Sequence, residues 1–229
     1  MSVVLNGSSQ YLDASSTLLS NEPIGISAWF NPNNVTTNYV IAALGDNGTA
    51  GNFSLSAPGG VAGDPIRAGK NNDAGTGAVS ADTSTGFSAS TWQHGAAAFR
   101  SDTSRDAYLN GGSKGSNATS RTDPTPNFIT IGALHLSSGF IQPFGGSLAE
   151  VYFMDYAPTD AEHALLGKGV HPFDAAIPLA NVRAWYPLIG EYNNRMAGGY
   201  PNLTATGSPT LGSHPALPIY PRIGALMCL

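Results

Sequence analysis

The side chains able to move protons, hold metals or attack carbonyls are scattered through this sequence. Its five histidines, His94, His135, His163, His171 and His214, form no H-x-H or H-E-x-x-H pair, so no zinc-binding helix face is written here. No G-x-S-x-G elbow presents a nucleophilic serine. Cys228 is the single cysteine, which rules out an intrachain disulfide and a thiolate metal site. Hard oxygens are better represented: Asp46-Asn47-Gly48, Asp64, Asp73, Asp102 and Asp106 lie in turn-rich stretches and suit calcium, although no D-x-D-x-D-G spacing joins them. Trp29, Tyr39, Tyr108 and Trp185 have rings that stack on sugars, but each falls in a strand-like run where core packing is the commoner role. Six N-x-S/T triplets, at Asn6, Asn34, Asn47, Asn52, Asn117 and Asn202, arise readily by chance in a chain this rich in Asn, Ser and Thr. No catalytic residue and no metal ligand is assigned from the sequence.

The elements that must position any site are short strands. Charged residues make up 11% of the 229 residues, against the roughly 25% usual for soluble domains. Ser, Thr, Asn, 28 glycines and 16 prolines supply turns instead, which argues against a helical bundle. A net charge of -5 with no basic run excludes phosphate-backbone binding to nucleic acid. No apolar run approaches the ~20 residues of a membrane span, and no secretory signal is visible at Met1 to Asn6.

Alternating segments predict strands at Val3 to Leu5 with Tyr11-Leu12 as an opening hairpin or bent strand, then at Ile24 to Phe30, Tyr39 to Leu44, Phe53 to Leu55 and, more weakly, Pro65 to Ala68. Residues 69–90 predict a long loop with one edge strand at most. Further strands are predicted at Trp92 to Arg100, Asp106 to Asn110, Phe128 to Ile131, Ser147 to Tyr156 and Val182 to Leu188. Asn110-Gly111 offers the positive φ angles of a tight turn. Thr159-Asp160-Ala161-Glu162 is a capping box opening one short helix, on which His163 is expected to be solvated. After Ile189 the chain turns Pro- and Gly-rich. The division expected is a sandwich over 1–189 and an extended arm over 190–229, with one weak strand at Leu203 to Thr206.

Three signatures in order carry a resemblance. Trp92-Gln93-His94-Gly95-Ala96-Ala97-Ala98-Phe99 with Ala107-Tyr108-Leu109-Asn110-Gly111 resembles a "W-x-H-v-A … y-v-N-G" hairpin. Ile129-Thr130-Ile131-Gly132 resembles an "l-x-I-G" strand. Phe144-Gly145-Gly146-Ser147-Leu148-Ala149-Glu150-Val151 through Thr159-Asp160-Ala161-Glu162 to Leu166-Gly167 resembles a strand-and-helix ending. Together they resemble the concanavalin A-like jelly roll of laminin-G-like and pentraxin-like domains. The resemblance implies an all-β, antiparallel two-sheet sandwich with one short helix and an extended C-terminal tail. It also implies a core or semi-buried His94 and calcium in rim loops as a possible cofactor.

The related β-glucanases carry E-x-D-x-x-E on one strand face, because a retaining glycosidase needs two carboxyls about 5 Å apart. Here Glu150 and Asp155 are five apart, on opposite faces of an unbroken strand, with Tyr152 where the middle acid would stand. Glu150 is therefore expected to be structural, and the chain non-enzymatic.

The apolar end, Ile219, Tyr220, Ile223, Leu226 and Met227, either folds back over its own sandwich or docks on a neighbour. The second option favours a bacteriophage capsid decoration (cement) protein on the outer surface of the virion. Its expected partners are capsid or tail proteins, within a homo-oligomer, a trimer by analogy. The alternative is a carbohydrate-binding module that recognises surface glycans through rim loops, with calcium where bound.

Overall fold

The computed structural model describes residues 1–198 and 200–217. In chain order its strands are β1 (Ser2–Asn6), β2 (Tyr11–Ser15), β3 (Ile24–Pro32), β4 (Asn38–Gly45), β5 (Asn52–Pro58), β6 (Pro65–Asn71), β7 (Val79–Gly86), β8 (Gln93–Ser101) and β9 (Ser104–Leu109). They continue with β10 (Gly112–Asn117), β11 (Phe128–Ile131), β12 (Leu134–Leu136), β13 (Gly139–Ile141) and β14 (Gly145–Met154). Helix α1 (Asp160–Leu166) follows, then β15 (Val182–Tyr186), β16 (Thr204–Thr206) and β17 (Thr210–Gly212). The first sheet runs β10-β9-β8-β3-β14-β1-β17, with β15 also on β14, and the second runs β16-β2-β11-β4-β5-β6-β7. The hairpin β12–β13 stands apart. The pairings within the sheets are antiparallel, as the all-β sandwich expectation requires.

Alternation builds the core. In β5, Phe53, Leu55 and Ala57 point between the sheets and join Phe30, Phe99 and Phe153 in one buried cluster. Phe53 meets Phe99 of the opposite sheet edge-on, with ring centroids 5.1 Å apart. In β8, Ala97 and Phe99 face this core while Ala96 and Ala98 face outward onto Tyr108 and Ala157. Both faces of that central strand are covered, as its small residues predict. The Asn110-Gly111 turn takes φ of 52° and 72° and joins β9 to β10.

Several expectations are corrected. β1 and β2 are not a hairpin: they lie in different sheets, and Asn6 Oδ1 holds the crossover by accepting the N–H groups of Ser8, Ser9 and Gln10. β6 is longer than expected, running to Asn71, while β7 (Val79–Gly86) is the one edge strand expected within residues 69–90, at the end of the second sheet. Val182 to Leu188 stops at Tyr186. Residues 204–206 pair with β2 and residues 210–212 with β1, so the described part of the C-terminal segment adds a strand to each sheet. Ile219, Tyr220, Ile223, Leu226 and Met227 lie outside the described residues.

Helix α1 has the expected capping box, with the Thr159 hydroxyl accepting from the Glu162 N–H and the Glu162 carboxylate from the Thr159 N–H. His163, however, is fully buried, because α1 lies on the outer face of the first sheet. Its ring stacks on Tyr108 at 3.9 Å, and neither ring nitrogen has a hydrogen-bond partner. His94 is buried as well, with Nδ1 unpartnered. Burial pushes both imidazoles down from 6.5 to about 3.

A pH dependence follows. Below 6.5 the unfolded chain protonates both histidines and the folded chain does not, so stability present above 6.5 drains away as pH falls toward 3. At pH 4.5 the loss is on the order of 2–3 kcal/mol per histidine. Urea unfolding at pH 7 and 4.5 should show the midpoint falling, and His163→Phe, which cannot protonate, should fall less. Identical falls in the two proteins would refute the assignment.

Candidate functional site

A recessed groove of about 310 Å³ opens on the outer face of the second sheet, over β5, β6 and β7. The alternation that sends Phe53 and Leu55 inward leaves Asn52, Ser54 and Ser56 lining it. From β6 come Arg67, Gly69 and Asn71, and from β7 Ser80. Gly69 keeps the floor low: a Cβ there would come within 2.8 Å of the Ser54 hydroxyl. One wall is the β12–β13 hairpin, with Leu134, Leu136, Ile141 and the following Gln142; Asn38, Pro58 and Val61 close the rim. The hairpin is held there because Val40 and Ala43 of β4 face outward and pack against Leu134, Leu136 and Ile141.

The polar groups of this groove are partly pre-committed and partly free. Asn38 Oδ1 accepts the Gly60 N–H at 2.9 Å, and Asn52 Nδ2 donates to the Ala50 carbonyl at 3.0 Å. Arg67 makes a two-pronged ion pair with Asp82 of β7, Nε to Oδ1 and Nη2 to Oδ2 both at 2.7 Å. Asn71 Oδ1 is buried without a partner. Amides and hydroxyls beside an apolar wall suit a small ligand that is itself hydroxylated on one side and C–H rich on the other, and the volume falls at the low end of the ~300–1,000 Å³ usual for ligand sites.

A larger recess of about 430 Å³ lies on the outer face of the first sheet, lined by Arg100, Asp106, Lys114 and Ser116. Most of its charged groups are already spent on one another, and Arg105, which also lines it, donates to Asn117 and to the Asp102 carbonyl. Arg100 donates to Asp106 and to the Ala157 and Pro158 carbonyls, Lys114 to Asp160, and Ser116 to Asp106. This network fastens α1 to β8, β9 and β10, and it leaves little for a ligand.

The aromatic candidates do not converge on the groove. Tyr108 is buried under α1, and Tyr39 is buried with its hydroxyl accepting from Asn34 at 2.8 Å. Trp29 leans on His94, and Trp185 Nε1 donates to Glu150 at 2.7 Å. Glu150 also accepts from the Tyr152 hydroxyl and meets His214 Nε2, each at 3.0 Å. It sits at φ 52° where a bulge interrupts β14 between Ala149 and Tyr152, so the alternation assumed for Glu150 and Asp155 is broken. Asp155 lies past the strand end, paired with Arg183 and Asn181. Glu150 is thus tied into structure, as its sequence context suggests.

All the calcium candidates but Asp64 are likewise committed. Asp46 accepts from the Gly48 N–H and the Thr49 hydroxyl, and Asp73 from the N–H and hydroxyl of Thr125. Asp106 holds Arg100 and Ser116, and Asp64 is a lone residue of a turn at φ 48°. Among the described residues one trio, Glu22, Asp102 and Asp123, brings three carboxylate oxygens within 4.8 Å of one another. Its cation is built in: Lys70 Nζ, fully buried, lies 2.9, 3.0 and 2.7 Å from Glu22, Asp102 and Asp123. The residues present do not fit a calcium ion.

Two antiparallel sheets face to face, with one outer face open as a recessed polar groove, define a jelly-roll sandwich of the lectin type. The chain belongs to the concanavalin A-like lectin/glucanases superfamily, whose family model matches residues 6–162. No curated protein matches it. Among solved structures it is similar to a native heptameric SAP-like pentraxin from Limulus polyphemus, with a TM-score of 0.63, 13% identity, and 92% of this chain and 94% of that one covered. Domain 4 of a GH43 extracellular arabinanase from Geobacillus stearothermophilus, in complex with arabinotriose, matches at TM-score 0.58 and 21% identity, over 72% and 76% of the two chains. A Ruminococcus gnavus IT-sialidase CBM40 bound to α2,3 sialyllactose matches at 0.55 and 12%, over 72% and 96%. At these identities the likeness shows the fold.

The Lys70 site makes its own prediction. Lys70→Ala leaves three carboxylates facing one another and should cost about 3–5 kcal/mol, read as a lower urea midpoint. Millimolar calcium should restore part of that loss in the variant and leave the unsubstituted protein unchanged. An unaltered midpoint in Lys70→Ala would show that the cluster holds nothing.

Proposed function

We propose that this chain is a non-catalytic carbohydrate-binding module that seats a saccharide in the groove over β5, β6 and β7. One observation carries the reading: Asn52, Ser54, Ser56 and Asn71 line a recess beside an apolar wall, and one of the acceptors, Asn71 Oδ1, is buried without a partner. Sugar hydroxyls satisfy such groups, and the C–H faces of the ring pack on Leu134, Leu136 and Ile141. Two of the similar structures hold glycans, arabinotriose and α2,3 sialyllactose, which supports the class of ligand. The capsid-decoration reading gains no such support. It rested on the C-terminal arm, and the described part of that arm pairs with the chain's own β1 and β2.

The test is a glycan array followed by calorimetry on the best oligosaccharide. Asn71→Ala and Ser54→Val should each weaken binding about tenfold, the equivalent of roughly 1.4 kcal/mol, with little change in melting temperature. Because no calcium-binding set is assembled among the described residues, chelation with EDTA should leave affinity unchanged. Full retention of binding in both variants would move the site elsewhere.

A further inference from the structure

Among the described residues that line the groove, Arg67 is the one that carries a charge. A guanidinium at a ligand site ordinarily selects carboxylate, sulfate or phosphate through paired N–H donors. Here that fork is already occupied. Asp82 stands directly opposite Arg67 in the β6–β7 register and takes Nε and Nη2 at 2.7 Å each. The partners are held in place by the backbone pairing of two strands, so the pair is positioned before any ligand arrives. Both side chains are about one-third exposed, at 30% and 34%; Arg67 lines the groove, and the Asp82 carboxylate borders it through the two hydrogen bonds it takes from that guanidinium.

We propose that the Arg67–Asp82 pair restricts this groove to uncharged saccharides, with Asp82 as the specificity-determining residue. The inference rests on the carbohydrate-binding reading above and adds the charge class of the ligand. An acidic sugar would have to displace the Asp82 carboxylate or lie beside it, against a like charge and on a chain whose net charge is -5. A neutral sugar meets no such penalty. It finds amides and hydroxyls from Asn52, Ser54, Ser56 and Asn71, together with Arg67 Nη1, the part of the guanidinium that Asp82 leaves unengaged.

The experiment is an array of neutral and acidic oligosaccharides (arabinotriose, lactose, 3′-sialyllactose and trigalacturonate among them), probed with the unsubstituted chain, Asp82→Asn and Asp82→Ser. The unsubstituted chain should retain neutral probes alone. Both variants free the guanidinium and should raise the acidic-to-neutral binding ratio at least tenfold, and Arg67→Gln/Asp82→Asn, which removes both charges, should return it to the original value. Two single variants guard against one failing to fold. Acidic probes binding the unsubstituted chain as well as neutral ones, or an unchanged ratio in the folded variant, would overturn the inference and leave carbohydrate binding standing. Retention of no probe at all by the unsubstituted chain would overturn the carbohydrate reading itself.

Discussion

Lys70 carries its ammonium into the sandwich from β6 and loses all contact with water. An isolated charge there would be too costly to keep, so the chain must bring carboxylates to it. It does so from three separate segments: Glu22 just before β3, Asp102 in the β8–β9 turn, and Asp123 in the loop before β11. One ammonium thereby fastens both sheets and a long connection at one end of the molecule, and Phe53 supports it from below with its ring centroid 5.4 Å away. Three carboxylates around one cation are too many for all to ionise freely. Burial pushes the Glu22 carboxyl up to about 7 and the carboxylates raise Lys70. Glu22 therefore contributes stability below about 4.5 that is lost as pH rises through 7. That slope opposes the one set by His94 and His163, and with two histidines against one carboxyl the acid side remains the weaker.

The placement of the groove follows from what covers the other outer faces. On the first sheet, α1 and its flanking turns lie over Tyr152, Met154 and Tyr108, and the Arg100–Asp106–Lys114–Asp160 network closes what remains. On the second sheet the β12–β13 hairpin covers β4 with Leu134 and Ile141. The hairpin is steadied in turn by Phe140, which stacks between Tyr11 and His135. Beside that cover, the outer face of β5, β6 and β7 stays open. Its position is thus a remainder: apolar outward residues such as Val40 and Ala43 demand a cover, and serines and asparagines do not.

Much of the sandwich was legible because its central strands obey local rules. Trp92 to Arg100 alternates cleanly, Asn110-Gly111 can hardly be anything but a tight turn, and Thr159 with Glu162 writes a helix start. The failures lie where tertiary contacts outweigh local signals. Helix α1 is too short to show which side faces the protein, so His163 was misplaced on a helix correctly found. The bulge at Glu150 exists to bring its carboxylate to Trp185, Tyr152 and His214, partners separated from it by up to 64 residues. No spacing rule within β14 announces that.

The least legible stretch runs from 69 to 90, where one edge strand was expected and β7 supplies it. Its Gly, Asn, Asp and Ala content has low strand propensity, yet it holds the end of β6 and all of β7. Its small residues are dictated by crowding. β7 lies against β10 of the other sheet, with the Thr85 hydroxyl donating to Ser113 at 2.6 Å, and a side chain at Gly115 would run into the Asp82 carbonyl. Gly69 is small for a related reason, since it leaves the floor beside Ser54 uncovered. Larger β-branched residues would have made both strands obvious in the sequence, and on the outward positions they would have filled the recess. The composition that weakens the strand signal of β6 and β7 is therefore the composition that an open polar groove on a sheet face requires.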